Sequence, residues 1–364
     1  MSKLDELIIT YCPRGVTHRK ISNLCSITTG KLNANAMVDN GKYPFFTCSQ
    51  EIYKIDSYSF DCEALLIAGN GYIGDVKHYI GKFDAYQRTY ILKDFNEDIN
   101  VRFLFHCFKR NFRDYAQKFQ KEGSVPYITL GTLESYVVPV PPIGVQREIV
   151  RILDNFTELT AELTAELTAE LTARKKQFEY YRDSLLSFDN TVNWFTLENV
   201  LKIKNGKDYK QFKKGNVPVY GSGGIMTYID TFIFDKPSVL IPRKGSIDKL
   251  YYIDSPFWTV DTIFYTDIFT DIVLPKFVYY YLQKEHIEKY NIAGGVPSLT
   301  QSVLNKIPFP VPSLIEQQRI VDILDKFSIL IEDISIGLPA EIEARQKQYG
   351  YYRDKLLNFK ELEV

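Results

Sequence analysis

Two kinds of hydrophobic pattern alternate along this chain, and each occurs twice. From Pro141-Pro142 onward apolar residues recur at helical spacing, with Ile149, Ile152, Leu153, Phe156, Leu159 and Leu163 on one broad face. The same kind of pattern returns after Pro312. Ahead of each helical stretch lie short β-rich segments separated by Gly, Pro and Asn. They predict strands over 64–68, 86–92, 238–241 and 257–265. Helices are predicted inside these stretches over Val101–Phe119 and Pro275–Tyr290. Continuous from about Val145 to Phe188, the first long helix would measure ~60–65 Å at 1.5 Å per residue.

The alternation is a duplication. Setting residue n against residue n+171 superimposes the helical stretches without a gap. Pro139-Val140-Pro141 falls on Pro310-Val311-Pro312, Ile152-Leu153-Asp154 on Ile323-Leu324-Asp325, and Tyr180-Tyr181-Arg182-Asp183 on Tyr351-Tyr352-Arg353-Asp354. The globular stretches match more loosely. Ile27-Thr28-Thr29-Gly30-Lys31 corresponds to Ile203-Lys204-Asn205-Gly206-Lys207, and Leu66-Ile67 to Leu240-Ile241. A shared skeleton with different decoration is what one fold reading two targets would show. The expected fold class is α+β: two similar β-rich domains joined by two long antiparallel helices, related by a pseudo-two-fold repeat. Boundaries are expected at 1–140, 141–190, 191–312 and 313–364, with a short helical stub at the start of the first domain.

Inside the first long helix, Thr-Ala-Glu-Leu occurs three times between Thr160 and Leu171. Leu159, Leu163, Leu167 and Leu171 align with Leu330, Ile334, Leu338 and Ile342, so both helices keep the same apolar seam. One helix this long has nothing of its own to bury that seam, so the two are expected to pack on each other. Leucine at helical spacing is also what any core helix shows, and here the two readings agree. Gly337 and Pro339 predict a break or kink in the second helix. Asp5 to Ile9 resembles the helix end at Asp183 to Ser187, and is expected to pack near the C-terminal helix.

Composition narrows the function. Apolar residues make up 45% and charged residues 24% of the 364, ordinary globular values. No apolar run approaches the ~20 residues of a membrane span, and the first residues lack a basic region followed by an apolar stretch. The five cysteines are odd in number and never form C-x-x-C, which argues against a disulfide framework or a structural zinc. A reduced cytoplasm is the expected compartment. The net charge of −1 hides an uneven distribution. Residues 1–140 and 189–312 each carry two more Lys and Arg than Asp and Glu, whereas 141–188 carry two fewer and 313–364 three fewer. Local basic surfaces on the globular stretches are therefore permitted.

Together these features resemble the specificity (S) subunit of type I restriction-modification systems. The resemblance rests on the P-x-P-P/S…Q-x-x-I-V-x-I-L-D-x-F entries at Pro139 to Phe156 and Pro310 to Phe327, and on the A-R-K-x-Q-x-x-Y-Y-R-D-x-L-L ending at Ala173 to Leu186. The second ending, Ala344 to Leu357, has Gln346 where the first has Lys175. Thr-Ala-Glu-Leu repeats at this place occur in one branch of the family. The resemblance implies two target-recognition domains that bind the halves of a bipartite double-stranded DNA site. It also implies two methyltransferase (M) subunits as partners, joined by restriction (R) subunits, with no catalysis in the chain itself. S-adenosylmethionine, ATP and magnesium would belong to those partners, so no cofactor is expected here.

The residues agree with an absence of catalysis. There is no Asn-Pro-Pro-Tyr or Asp-Pro-Pro-Tyr motif, no Gly-rich cofactor loop after a strand, and no Gly-Lys pair in a P-loop frame. His18, His78, His106 and His286 show neither metal nor triad spacing. Base and phosphate contacts call for Lys, Arg, Asn and Gln on anchored loops. In the second domain the candidates are Lys204, Lys207, Lys210, Lys213 and Lys214, then Arg243, Lys244 and Ser246. In the first they are Lys31, Asn33, Asn35 and Lys42, then Asn70, Tyr72 and Lys77, then Gln87 and Arg88. Gly123-Ser124-Val125-Pro126 and Gly294-Gly295-Val296-Pro297 read as plain connecting turns. Tyr180, Tyr181 and Arg182 with Tyr351, Tyr352 and Arg353 are candidates for docking the methyltransferase subunits, and packing at the helix ends would account for them equally.

A four-residue repeat adds ~6 Å and a net ~40° of helix. One base pair adds ~3.4 Å of duplex. Copy number is therefore expected to set the spacer between half-sites, about one base pair per repeat. The alternative is a non-DNA scaffold with two β-rich ligand-binding domains on a coiled-coil spine.

Overall fold

Alternation along one central strand sets the layering of each globular stretch. In the first, Leu65 and Ile67 join a core with Phe103, Leu104, Cys107 and Phe108 of a helix, while Ala64 and Leu66 join Phe46, Phe83, Ala85 and Ile91. In the second, Val239 and Ile241 join Phe277, Val278 and Tyr281, while Leu240 joins Tyr220, Phe257, Ile263 and Tyr265. Period-two placement thus gives one sheet two buried faces, a helix on one and aromatic residues on the other.

The computed structural model describes residues 2–189, 191–291 and 294–362; the boundary expected at Asn190 lies outside them. The chain divides into two units, Met1–Ala165 with Ala340–Val364, and Glu166–Pro339. Each globular stretch thus groups with half of each long helix rather than with the helix that follows it. In chain order the elements up to the first long helix are α1 Lys3–Tyr11, β1 Thr17–Lys20, β2 Ser26–Thr29, β3 Tyr43–Phe46, β4 Ile52–Ile55, β5 Phe60–Ala68, β6 Val76–Ala85, β7 Thr89–Lys93, α2 Val101–Phe119, α3 Leu130–Glu134, β8 Val137–Val140 and α4 Ile143–Leu185. Then follow β9 Asn193–Thr196, β10 Leu201–Asn205, β11 Lys214–Gly221, β12 Gly224–Ile229, β13 Ser238–Pro242, β14 Tyr251–Ile253, β15 Trp258–Thr259, β16 Ile263–Ile268, α5 Pro275–Lys284, α6 Gln301–Leu304, β17 Pro308–Val311 and α7 Leu314–Leu356.

The two topologies coincide. The first unit has a six-stranded sheet ordered β2-β7-β5-β6-β3-β4, with β3 parallel to β6 and the other pairings antiparallel. The second repeats it as β10-β16-β13-β14 and β12-β11-β15, the place of β6 being shared between β14 and β15. β11 is parallel to β15 as β3 is to β6. β1 pairs with β8, and β9 with β17. Helix α2 matches the expected span, starting where Asn100 accepts the Phe103 N–H. The other helix ends earlier than expected, at Lys284, and His286 adopts a left-handed conformation (φ 48°) before a separate short turn.

Each globular stretch is fastened to the start of its long helix by a buried glutamine. Gln146 Nε2 donates to the Asp98 and Pro141 carbonyls (2.8 and 2.7 Å), and its Oε1 accepts the Asn100 N–H (2.8 Å). Gln317 repeats all three with Ile272, Pro312 and Leu274 (3.1, 2.9 and 2.8 Å). Both are fully buried. Two turns on, Asp154 accepts from Arg102 Nε (3.0 Å) and His106 Nε2 (2.9 Å), and Asp325 from Lys276 Nζ and the Tyr280 hydroxyl (both 2.6 Å). The Q…I-L-D entry motif is this clamp.

α4 and α7 are each 43 residues, about 65 Å long. Within the first unit Phe156 of α4 contacts Tyr349 and Tyr352 of α7 (ring centroids 5.9 and 6.2 Å). Within the second, Tyr181 stacks on Phe327 (5.2 Å). In each unit the first half of one helix therefore lies beside the last half of the other. Partly buried positions recur at 156, 160, 163, 164, 167 and 171, and at their counterparts 327, 331, 334, 335, 338 and 342. Leu163, Leu167, Leu171, Ile334, Leu338 and Ile342 thus sit on the seam. Leu159 and Leu330 do not: they are 65% and 55% exposed. At 100° per residue each lies about 90° from the centre of that face. Of the break or kink expected at Gly337 and Pro339, the break does not occur, since α7 runs through both. The repeat threonines satisfy their hydroxyls inside the helix, Thr160 on the Phe156 carbonyl, Thr164 on Thr160 and Thr172 on Thr168 (2.8, 2.8 and 2.9 Å). The N-terminal stub packs where expected: Leu4 shares a core with Leu357, and Val16 exchanges backbone hydrogen bonds with Lys360 and Leu362 (both 2.9 Å).

Replacing Gln146 by Leu leaves one buried N–H and two carbonyls without partners. It should lower the stability of the first unit by about 2–3 kcal/mol, measured by denaturant unfolding, and Gln317→Leu should do the same in the second. A loss within the error of the measurement would show that the clamp is dispensable. The first clamp also titrates. Burial holds the His106 imidazole below its usual 6.5, against the opposing hydrogen bond to Asp154. The unfolded chain then takes up this proton first, so stability falls as pH drops below about 6.5. Burial raises the Asp154 carboxyl, but hydrogen bonds from Arg102 and His106 more than offset this, and its contribution is lost only below its usual 3.8. Thermal melts from about pH 7.5 to 5 should show the histidine effect alone. His106→Gln should flatten that slope.

Candidate nucleic-acid interface

Five chain segments converge at one end of the sheet in each unit, and backbone hydrogen bonds hold them together. In the first unit the Gly69 N–H donates to the Arg88 carbonyl (3.0 Å), the Ile128 N–H to the Gly69 carbonyl (2.9 Å), and the Gln87 N–H to the Leu32 carbonyl (2.9 Å). Asn70 bridges to Tyr127, and the β3–β4 turn joins through Cys48 Sγ, which donates to the Arg88 carbonyl (3.3 Å). The second unit repeats the frame. The Arg243 N–H donates to Thr262 (2.8 Å), the Leu299 N–H to Arg243 (2.9 Å), and the Lys207 N–H to Thr259 (2.8 Å). Lys244 bridges to Ser298, and the Ser222 N–H donates to the Thr262 hydroxyl (3.4 Å). The shared Gly-Lys pair has a steric reason. A Cβ on Gly30 would lie 1.9 Å from the Ala85 carbonyl oxygen, and one on Gly206 2.0 Å from that of Val260. Only glycine lets these segments pass, and each leads into an exposed lysine, Lys31 or Lys207.

This frame gathers most of the sequence-derived candidates. Lys31, Asn70, Gln87 and Arg88 meet in the first unit, where Thr29, Gly69, Gln87, Arg88, Tyr90 and Ile128 line a cleft of about 270 Å³. Tyr72, half exposed, lies in the β5–β6 turn that continues from Asn70. Asn33 and Asn35 are exposed on the segment leaving Leu32. In the second unit Lys207, Arg243, Lys244 and the partly buried Ser246 meet in the same way, and Lys210 is exposed three residues past Lys207. Trp258 anchors that loop: its Nε1–H donates to the Lys207 carbonyl (2.9 Å) and its ring packs on Phe212 (4.7 Å).

Other candidates fall elsewhere. Lys42 enters β3, and Lys213 and Lys214 enter β11, at the ends remote from the loop cluster, beside Ile55 and Ile229. Lys77 is tied to Asp75 and to the Ser49 carbonyl (both 2.7 Å), and Lys204 to Asp267 (2.8 Å). Lys31, Lys207, Lys244, Arg88 and Arg243 have no carboxylate within ion-pair distance among the described residues. Tyr86 to Arg88, expected in a strand, form the turn before β7, and residues 260–262 interrupt the strand expected over 257–265. Both differences create the loops of the cluster.

Two of the five segments carry none of the sequence-derived candidates. Gly123 to Pro126 is more than a connecting turn: it is the tip of a narrow hairpin closed by Lys121 and Tyr127, which exchange backbone hydrogen bonds (2.7 and 3.2 Å), with Val125 half exposed. In the second unit Val296 is 70% exposed beside the Gly245–Pro297 backbone contact. The β3–β4 turn at Cys48 to Gln50 and its equivalent at Ser222 were the other omission. The exact recurrence of Val125-Pro126 at Val296-Pro297 was the available signal. At the helix ends, Tyr180 and Tyr351 are 70% and 63% exposed, each edge-on to Tyr181 or Tyr352. Arg182 is buried and bonded to Asp183 (2.8 Å), which takes it out of the docking candidates. Arg353 is partly buried, donating to Asp354 and to the Lys109 carbonyl.

Two copies of one loop frame, each on an α+β unit with a helical clamp, define a tandem recognition protein. The family model for the type I restriction modification DNA specificity domain matches twice, over residues 13–173 and 190–344, and the chain belongs to that family. A putative type I restriction enzyme specificity subunit of Haemophilus influenzae is 33% identical over 350 residues, covering 88% of this chain and 89% of that protein. Two solved structures share the fold. One, from a study of complex assembly and conformational transition of the type I R-M system, is 15% identical with a TM-score of 0.70, covering 95% of this chain and 98% of that one. The other, the HsdS subunit of Thermoanaerobacter tengcongensis, is 15% identical with a TM-score of 0.58 over 95% and 97%. No helix among the described residues is long and apolar enough to cross a membrane.

The division of the lysines is testable by salt dependence. Lys207→Gln and Lys244→Gln should each reduce the slope of log affinity for DNA against log salt by about one. Lys213→Gln, remote from the loops, should leave the slope unchanged. Equal effects from all three would dissolve the distinction.

Proposed function

We propose that this chain is the non-catalytic specificity subunit of a type I restriction-modification complex, and that each unit holds one half of an asymmetric bipartite DNA site in its loop cluster. The observation that carries this reading is the duplicated frame: most of its backbone hydrogen bonds recur in both units, with the donor reversed at the Gly-Lys segment, while the side chains on them differ. Gly69 answers to Arg243, Asn70 to Lys244 and Arg88 to Thr262. Shared support with divergent contacts suits two different half-sites read by one architecture.

The helices supply the remaining roles. α4 is continuous through the three repeats, and its threonine hydroxyls bond to carbonyls one turn back, so an added copy extends the helix without an unpaired group. A copy is ~6 Å and ~40° of helix, which falls between the ~3.4 Å advance of one base pair and the ~7 Å of two. The doubled, exposed Tyr180 and Tyr351 with Tyr181 and Tyr352 suit docking of two identical methyltransferase subunits, through which restriction subunits would join. S-adenosylmethionine, ATP and magnesium would be bound by those partners, and the complex would act in the cytoplasm.

Deleting Thr164 to Leu167 should shorten the non-specific spacer by one base pair, two at most, with both half-sites unchanged. Methylome sequencing of a host carrying the chain and its methyltransferase partner reads this directly. An unaltered spacer would sink the ruler, and the absence of any bipartite motif from the parent chain would sink the wider reading.

A further inference from the structure

We infer that Arg88 reads a guanine in the half-site of the first unit, and that Tyr127 is the positioning residue that holds it for the task. This rests on the loop cluster being the DNA-contacting face. The backbone around Arg88 is fixed residue by residue. Tyr86 N–H donates to the Phe46 carbonyl (2.9 Å), Gln87 N–H to Leu32 (2.9 Å), and Thr89 N–H to Tyr86 (2.8 Å). The Arg88 carbonyl accepts from Gly69 N–H and from Cys48 Sγ. A Cβ on Gly69 would stand 2.5 Å from that carbonyl oxygen, so the contact depends on glycine.

The side chain is arranged as well. The guanidinium lies over the Tyr127 ring at 5.9 Å from its centroid, and the backbone pair with Lys121 fixes the main chain that carries that ring. Beside it the Tyr90 hydroxyl donates to the Ile128 carbonyl (3.0 Å), so that donor is already used. The guanidinium is exposed and has no carboxylate within ion-pair distance among the described residues. A planar fork of donors, held on an aromatic face at the rim of a cleft, matches the two acceptors on the major-groove edge of guanine. A lysine offers one rotatable point charge and lacks this match. The second unit has Thr262 at the equivalent place, its hydroxyl turned to the Ser222 N–H. This particular contact therefore belongs to the half-site of the first unit.

The test is competition binding by the assembled chain–methyltransferase complex. The competitors are duplexes in which every base pair of both half-sites is replaced in turn. Arg88→Ala should collapse the preference for one G·C pair in one half-site from roughly 5- to 150-fold to nearly none, with every other preference intact. Arg88→Lys, which keeps the charge but not the planar fork, should weaken that same preference without touching the others, and serves if the alanine variant folds poorly. Tyr127→Ala should weaken that single preference in part. A uniform loss of affinity across all sequences would make Arg88 a phosphate contact and overturn the inference, as would a lysine variant with the parent preference. If the parent complex discriminates a bipartite site and Arg88→Ala changes no base preference, the inference alone falls. A parent complex that discriminates no sequence removes the reading beneath it, and the inference with it.

Discussion

A buried primary amide, used twice, holds this protein in working order. The end of a long helix start has backbone groups without intrahelical partners, and so does the loop that precedes α2 or α5. Burying the two against each other would strand carbonyls and an N–H in an apolar core. Gln146 and Gln317 each answer all of them with one side chain, two donors and one acceptor, at 2.7–3.1 Å. The apolar residues that follow, Ile149 and Leu153 or Ile320 and Leu324, then complete the joint at 0–1% exposure. Hydrophobic contact is non-directional, so the glutamine and the aspartate two turns on are what fix how each globular stretch sits on its helix.

The second contact of each clamp shows what the frame tolerates. Asp154 and Asp325 are equivalent, yet one is met by Arg102 and His106 and the other by Lys276 and Tyr280. Donor number and direction are kept while charge and titration behaviour change. The price is a pH sensitivity confined to the first unit, where the imidazole Nδ1 also meets the Tyr349 hydroxyl (3.4 Å). The loop clusters show the same economy on a larger scale. Their backbone bonds are reproduced almost one for one, and the cation moves from the segment before β7 in one unit to the segment after β13 in the other.

How much of this was legible in the chain follows from the range of each interaction. Period and capping are local, so α2 was readable from Val101 to Phe119, and the offset of 171 residues revealed the repeat. The strand reads back to Tyr86 in the sequence because no Gly, Pro or Asn marks the turn that Gln87 and Arg88 form before β7. Leu159 and Leu330 carry the right chemistry at the wrong angle, and only the packed partner defines the face. Pro339 removes one N–H, a cost one position of a 43-residue helix absorbs without breaking. Gln146 and Gln317 were visible only as letters of a family motif. A polar residue on an apolar face has no local signature of the carbonyls it will meet, and two of its three partners lie 46 and 48 residues away. The site suffered most, because convergence of five loops is a property of the sheet order. Lys204 looks like Lys207 in sequence, and an aspartate 63 residues on, Asp267, separates them.

That separation bears on how such a protein changes what it reads. The residues that fasten loop to loop are mostly backbone groups, plus glycines at Gly30, Gly69 and Gly206 where any side chain would collide. The side chains that face outward from the same segments have few partners in the protein. Substituting Lys244 therefore removes no internal ion pair, and substituting Arg88 removes only its contact with the Tyr127 ring, so the effect on stability should stay within the small range of ordinary surface changes. Substituting Gln146 or Gly30 strikes the frame. Recognition and stability are thus carried by different residues of the same loops. A chain built this way is free to exchange its outward side chains in one unit without disturbing the clamp, the helix or the other half of the repeat.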